Sequence, residues 1–371
     1  MKQIPIAEPI LGKKELEKVT DCIKSTWISS SGKYIPLFEK NFARFCGNKY
    51  AVSCTNGTVA LHLALLALGI GKGDEVLVPN LTFVASANAV IHANATPILV
   101  DIEKNSWNMD PSQIEKNITP KTKAIMPVHL YGYPADMEKI MLIAKKHKLK
   151  VIEDAAEAHG AQIKIGGKWQ YVGTIGDIGC FSFYGNKIIT TGEGGMCITN
   201  KKQYINTIQL LKNHGMSPTQ KYYHPILGFN YRMTNIQAAI GLAQLSRLKT
   251  FLSNREQIET WYRKSFTGFS HVILPPENSS HYQRVNWIFT LRILPSFGKK
   301  RNWLIKYLST HGIESRPMFY PLSHFPMYKT KKQFPVTEMI SQQGLSLPSS
   351  PHLTKEEVHF IARTLKKAYL L

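Results

Sequence analysis

From Lys49 to Ile198 short apolar runs rich in β-branched residues alternate with stretches of helical periodicity, the pattern of a sheet with helical crossovers. The runs Tyr50 to Cys54, Glu75 to Val78, Pro97 to Val100, Ala124 to Val128 and Val151 to Glu153 predict strands. Between them Thr58 to Leu68, Val84 to Ala93, Pro111 to Lys116 and Met137 to His147 predict helices, with turns such as Gly71-Lys72-Gly73-Asp74 as punctuation. EVLV and KAIMPV are apolar at successive positions, which strands require when both sheet faces are covered. The expectation is a three-layer α/β/α domain.

After about Gly176 the spacing tightens. IGCFSFY and GGMCIT flank a glycine-rich turn, Thr191 to Gly195, and a long helical pattern then runs from Asn235 to Leu252. The aromatic-rich segments beyond it, Val285 to Ile293, Trp303 to Leu308 and Gly312 to Tyr320, read as a smaller C-terminal α+β domain. The division expected is an N-terminal segment 1–25, a large domain 26–250 and a small domain 251–371.

With 371 residues, 43% hydrophobic and 19% charged, the chain can bury a sizeable core and is neither collagen-like nor largely disordered. The longest apolar stretch, Leu61 to Ile70, falls short of the ~20 residues of a bilayer span, so no membrane helix is expected. Prolines and acidic residues interrupt the N-terminus where a signal peptide needs an unbroken apolar run, so a cytoplasmic location is expected. Five cysteines without a C-x-x-C pair fit reduced buried thiols better than a disulfide framework or a zinc ribbon, and no metal site is expected. The net charge of +21 admits nucleic acid, anionic surfaces or phosphorylated small molecules as partners and does not choose among them.

Ligands of open α/β sheets collect beyond the carboxyl ends of the strands. Three places there carry chemistry. Thr55-Asn56-Gly57-Thr58 runs from a strand straight into a helix, a turn suited to phosphate and equally to an ordinary N-cap. Asp154 ends another strand among small residues, where it could meet a protonated ring nitrogen, hold a metal or cap the next segment. Lys187 follows the apolar run CFSFYGN, where desolvation would lower its amine toward Schiff-base chemistry; a lone lysine otherwise snorkels to the surface. In that chain order, phosphate cup, carboxylate and lysine are the fixtures that pyridoxal phosphate needs.

The segments EDAAEAHGA, GDIGCFSFYGNKIITTGEGGM, GFNYRMTNIQAAIGLAQL, CTNGTVALHLAL and PVHLYGYPADM closely resemble the DegT/DnrJ/EryC1/StrS sugar aminotransferases. The resemblance runs from about Ile6 to Pro321. It implies the aspartate aminotransferase (type I) fold, pyridoxal 5'-phosphate as cofactor and a homodimer with shared active sites. WISSSGKYIPLFEKNFARFCG and the EDAAEAHGA variant are most similar to the GDP-perosamine synthase branch, which transfers an amino group from L-glutamate to C4 of GDP-4-keto-6-deoxy-mannose for polysaccharide such as O-antigen.

Residue by residue, the resemblance implies that Lys187 is the Schiff-base lysine and proton shuttle and that Asp154 pairs with the pyridinium nitrogen. Gly57, Thr58 and Ser182 would hold the phosphate, with Asn230 reaching in from the second subunit, and Phe83 would stack on the ring. Glu157 stands where many relatives have Gln near the cofactor's 3'-oxygen. His159, Arg232, Arg316 and Tyr320 would face the sugar nucleotide. One branch of the family has His in place of the lysine and dehydrates its substrate; Lys187 favours transamination. UDP- or dTDP-linked 4-keto or 3-keto sugars are the alternative substrates, and a basic nucleic-acid-binding α/β protein is the alternative from another class.

Overall fold

A computed structural model describes residues 3–371. Helices α1 (Lys13–Lys24) and α2 (Tyr34–Cys46) lead into β1 (Tyr50–Cys54), α3 (Gly57–Ala67), β2 (Glu75–Pro79), α4 (Ala85–His92) and β3 (Thr96–Val100). There follow α5 (Pro111–Ile114), β4 (Thr122–Ile125), α6 (Met137–Lys146), β5 (Lys150–Asp154), β6 (Gln162–Ile165), β7 (Lys168–Tyr171), β8 (Ile178–Ser182) and β9 (Gly195–Thr199). The remainder is α7 (Lys202–Lys212), α8 (Asn235–Phe266), β10 (Val272–Ile273), β11 (Tyr282–Gln283), β12 (Phe289–Ile293), α9 (Arg301–Thr310), β13 (Arg316–Pro317), α10 (Pro335–Gln343), β14 (Gly344–Leu347) and α11 (Lys355–Tyr369).

Seven strands form the large sheet in the order β1-β9-β8-β5-β4-β2-β3. β9 pairs antiparallel with β1 and β8 while the other pairings are parallel, so six strands point one way and β9 alone runs against them. The carboxyl ends of β1, β2, β5 and β8 therefore open on one edge of the sheet. β8 and β9 are buried at every position, which is why IGCFS and GMCIT lack polar alternation. A second, antiparallel sheet (β10-β12-β14-β13) carries its own core of Phe289, Leu291, Leu345 and Leu347 against α9 and α11. A third pairs β11, β6 and β7.

Two expectations shift. The strand read as Ala124 to Val128 spans Thr122–Ile125, because Pro127 has no N–H to continue the ladder; Val128 makes only an isolated bridge to Asp154. The helix read as Asn235 to Leu252 continues to Phe266. Its polar second half keeps a buried stripe of Arg255, Ile258, Tyr262 and Phe266, three or four residues apart. The helix thus runs unbroken through position 250, where the sequence places a domain division. Thr234 and Gln237 form the capping box that starts it.

Candidate active site

A cleft of about 900 Å³ opens at the carboxyl edge of the large sheet. Asn56 caps α3, its side chain accepting from the Val59 N–H at 3.0 Å, and leaves the first turn of that helix facing the cleft with Gly57 and Thr58. Gly195 starts β9 opposite both Cys54 and Ser182, and a Cβ there would lie 2.2 Å from the Asn56 carbonyl oxygen. A Cβ on Gly57 would lie 2.7 Å from Ser182 Cβ. These two glycines let the ends of β1 and β8 close into a cradle of helix N-terminus and hydroxyl, a shape and polarity that fit a phosphate.

Asp154 ends β5 on the same edge and is buried. Ser86 Oγ donates to its Oδ2 at 2.8 Å and the Ala156 N–H to its Oδ1 at 3.2 Å. Burial raises its carboxyl above the ordinary range, opposed by the Ser86 and Ala156 hydrogen bonds and by Lys187. Each oxygen keeps a free lone pair, so a cationic N–H in the cleft would restore the charged form.

Lys187 lies in the loop between β8 and β9, its N–H donating to the Tyr184 carbonyl at 2.9 Å. Its Nζ stands 3.7 Å from the centroid of the Trp287 ring and 3.5 Å from Glu157 Oε1. The Trp287 indole N–H donates to the Asn186 carbonyl at 2.8 Å, fixing the ring below the amine. Burial lowers the Lys187 amine, with Glu157 and then Asp154 opposing. Burial pushes the Glu157 carboxyl up to about 7 against the pull of Lys187. The other Glu157 oxygen accepts from the Tyr131 N–H at 2.8 Å.

Of the residues singled out in the sequence, Gly57, Thr58, Phe83, Asp154, Glu157, Ser182, Lys187 and Arg316 border this one cleft. Arg316 sits at the rim, half-exposed, with Nε and Nη2 both on Glu314 Oε1 at 3.0 and 2.8 Å. Asn230, Arg232, His159 and Tyr320 do not border it. Arg232 holds Asn230 Oδ1 and Asn213 Oδ1 at 3.1 and 3.0 Å, Asn230 is exposed, and Tyr320 faces solvent. His159 is fully buried with no hydrogen-bond partner at either ring nitrogen, its ring 5.3 and 5.6 Å from those of Phe181 and Phe183. Burial holds its imidazole down at about 3.

Sequence reading missed Ser86, Tyr131 and Trp287, whereas Phe319, which the family motif sets beside Tyr320 on the sugar-nucleotide side, does line the cleft. Tyr131 stacks on both Trp287 and Phe319, with centroids 5.9 and 5.4 Å away, and Phe319 lies 5.8 Å from Phe83. The LYGYP stretch marked Tyr131 as part of a family motif without giving it a task. Trp287, a hundred positions from Lys187, carried no local signal. No cluster of three or more His, Cys, Asp or Glu suited to a metal occurs among the described residues.

Residues 9–366 match the DegT/DnrJ/EryC1/StrS aminotransferase family. The chain belongs to that family. Among its relatives, a GDP-perosamine synthase of Escherichia coli O157:H7 is 48% identical over 370 residues, covering 100% of this chain and 99% of its own. A GDP-perosamine synthase of Caulobacter vibrioides is 46% identical over 367 residues, 98% of each chain. A solved putative sugar aminotransferase of Streptococcus pneumoniae, in its PMP form, superposes with a TM-score of 0.92 at 29% identity, covering 99% of this chain and 98% of its own. The glycine-lined phosphate seat, Asp154 with spare acceptor capacity and desolvated Lys187 fit pyridoxal phosphate.

Proposed function

We propose that the protein is a pyridoxal-phosphate-dependent aminotransferase that moves an amino group from L-glutamate to C4 of GDP-4-keto-6-deoxy-D-mannose, forming GDP-perosamine. Near-full-length identity of 46% and 48% to GDP-perosamine synthases carries the choice of substrate. The cofactor supplies an electron sink for the carbanion that transamination passes through. The chain's own residues do the rest.

The α3 N-terminus with Gly57, Thr58 and Ser182 Oγ would seat the phosphate. Asp154 would hold the ring nitrogen protonated, its Oδ2 aligned by Ser86. Lys187, its amine made easier to discharge by burial, would bond the cofactor aldehyde and then carry a proton on Nζ once the donor has replaced it. Phe83, with Tyr131, Phe319 and Trp287, gives the cleft an aromatic wall against which the cofactor ring would stack. Arg316 at the rim, its Nε and Nη2 on Glu314, would turn its remaining Nη1 edge to an anionic group of the substrate.

The active unit in this reading is a homodimer. Exposed Asn230 follows a segment that leaves Tyr222, Tyr223 and Leu227 facing solvent, apolar surface that a second copy would cover while Asn230 reaches the neighbour's phosphate seat. The five cysteines are free and buried, which suits the reducing cytoplasm.

Turnover with glutamate on GDP-, UDP- and dTDP-linked 3- and 4-ketosugars, read as amino-sugar product by mass spectrometry, tests the assignment. GDP-4-keto-6-deoxy-mannose should be the best substrate, and no product from it removes that choice. Borohydride treatment of the loaded enzyme should fix the cofactor to Lys187 and leave none on Lys187→Ala.

A further inference from the structure

We propose that Glu157 is a catalytic acid–base partner of Lys187, exchanging a single proton with its Nζ so that the amine alternates between charged and uncharged forms without recourse to bulk water. The inference rests on Lys187 being the lysine that joins the cofactor. It adds a task for a side chain that a glutamine cannot perform.

Geometry comes first. Glu157 Oε1 and Lys187 Nζ are 3.5 Å apart, and the two side chains are 5% and 11% exposed. Glu157 Oε2 is held by the Tyr131 N–H at 2.8 Å, leaving Oε1 free to face the amine. Tyr131 presents that N–H from a left-handed conformation, φ 51°, a strained one for a non-glycine residue. Its ring is clamped between Trp287 and Phe319. The fold thus holds a strained peptide in place to orient one carboxyl.

The groups around the pair leave it the role. Asp154 acts on both partners through charge alone, while the ion pair of the Lys187 amine is with Glu157. His159 lies among the rings of Phe42, Phe181 and Phe183, and burial keeps it neutral. Trp287 beneath Nζ favours the ammonium, while desolvation favours the free amine. Opposed in this way, with burial disfavouring the charged form of each and their mutual attraction favouring it, the two groups titrate as one unit. The step balances: the N–H bond of the Lys187 ammonium breaks, an O–H bond forms on Glu157 Oε1, and the amine keeps the electron pair it needs to bond an aldehyde carbon.

The test uses loaded enzyme, wild type, Glu157→Gln and Glu157→Asp. Conversion by L-glutamate in a single turnover is followed from pH 5.5 to 9.5 by loss of the cofactor's visible absorption. The pH titration of that absorption without donor is the second readout. In the wild type the single-turnover rate should rise with pH through a group near neutrality. Glu157→Gln should remove that limb and slow the neutral-pH rate at least tenfold, and Glu157→Asp should restore the limb in part. An unchanged pH profile in Glu157→Gln overturns the proposal. Infrared difference spectra of the wild type with labelled glutamate residues guard against a misfolded variant: a protonated-carboxyl band at neutral pH supports the pair, and its absence sinks it. Failure of Lys187 itself would look different, since borohydride would then leave Lys187 unmodified in the wild type.

Discussion

Gly57 and Ser182 come so close that a methyl group on the first would lie 2.7 Å from Cβ and 3.1 Å from Oγ of the second. The cradle exists because position 57 has no side chain. Gly57→Ala must push α3 away from β8, an overpacking that costs about 1–3 kcal/mol, and the displaced helix N-terminus should weaken cofactor affinity at least tenfold by equilibrium dialysis. Adding Ser182→Gly should recover the stability and not the affinity, because it frees the space but removes the hydroxyl. Wild-type affinity in Gly57→Ala would move the phosphate seat elsewhere.

Asp154 and its donor Ser86 should separate by magnitude. Asp154→Asn keeps the shape and an acceptor for the Ser86 hydroxyl but cannot hold a ring nitrogen protonated, so turnover should fall at least ~100-fold with little change in melting temperature. Ser86→Ala removes one 2.8 Å hydrogen bond from a buried carboxylate. At about 1–2 kcal/mol for a charge-assisted bond, turnover should fall by roughly tenfold. Equal losses in the two variants would mean that Ser86 touches the reacting groups directly.

His159 predicts a stability effect. A ring that accepts a proton only near pH 3 when folded, against 6.5 as the ordinary value, favours the unfolded chain in acid. Its contribution is intact above pH 6.5 and is lost as pH falls from there toward 3, by up to about 1.4 kcal/mol per pH unit. His159→Phe should flatten this limb, read as the difference in urea midpoint between pH 7 and pH 5. An unaltered acid limb would show that the ring is protonated, or solvated, in the folded protein.

The sequence carried the parts of this site that local chemistry can express. Asp154, Ser182 and Lys187 end or follow apolar runs buried on both faces, so the strands were legible and the carboxyl-end rule located the cleft. What was hidden depends on distant packing. Ser86 reaches Asp154 across 68 positions and Trp287 underlies Lys187 across a hundred. The second half of α8 hid its buried face behind Ser253-Asn254-Arg255-Glu256, because Arg255 is buried by donating to the carbonyls of Trp287 and Ser349, a pairing that composition cannot reveal. α1 and α2 went unmarked as helices, and the β11-β6-β7 sheet joins strands more than a hundred positions apart.

Glu153, next to Asp154 and pointing away from the cleft, should be the most costly carboxylate to alter. It is fully buried, its Oε1 accepting from the N–H groups of Ile175 and Gly176 at 2.7 and 2.5 Å and its Oε2 from Gly173 N–H at 2.7 Å. His129 completes the set at 3.1 Å: its Nδ1 accepts from the Ala135 N–H, so the proton sits on Nε2 and is donated to Glu153. Both oxygens are acceptors only. Glu153→Gln therefore turns an NH2 toward N–H donors whichever way the amide is flipped, and the penalty of unpaired buried donors predicts a loss of about 3–5 kcal/mol in urea unfolding. The disturbance should reach the site, because the backbone N–H of His129 donates to the Asp154 carbonyl at 3.0 Å. Cofactor affinity should then fall together with stability, whereas Asp154→Asn should separate the two. A Glu153→Gln protein within ~1 kcal/mol of wild type would mean that water enters behind β5 and satisfies the amide.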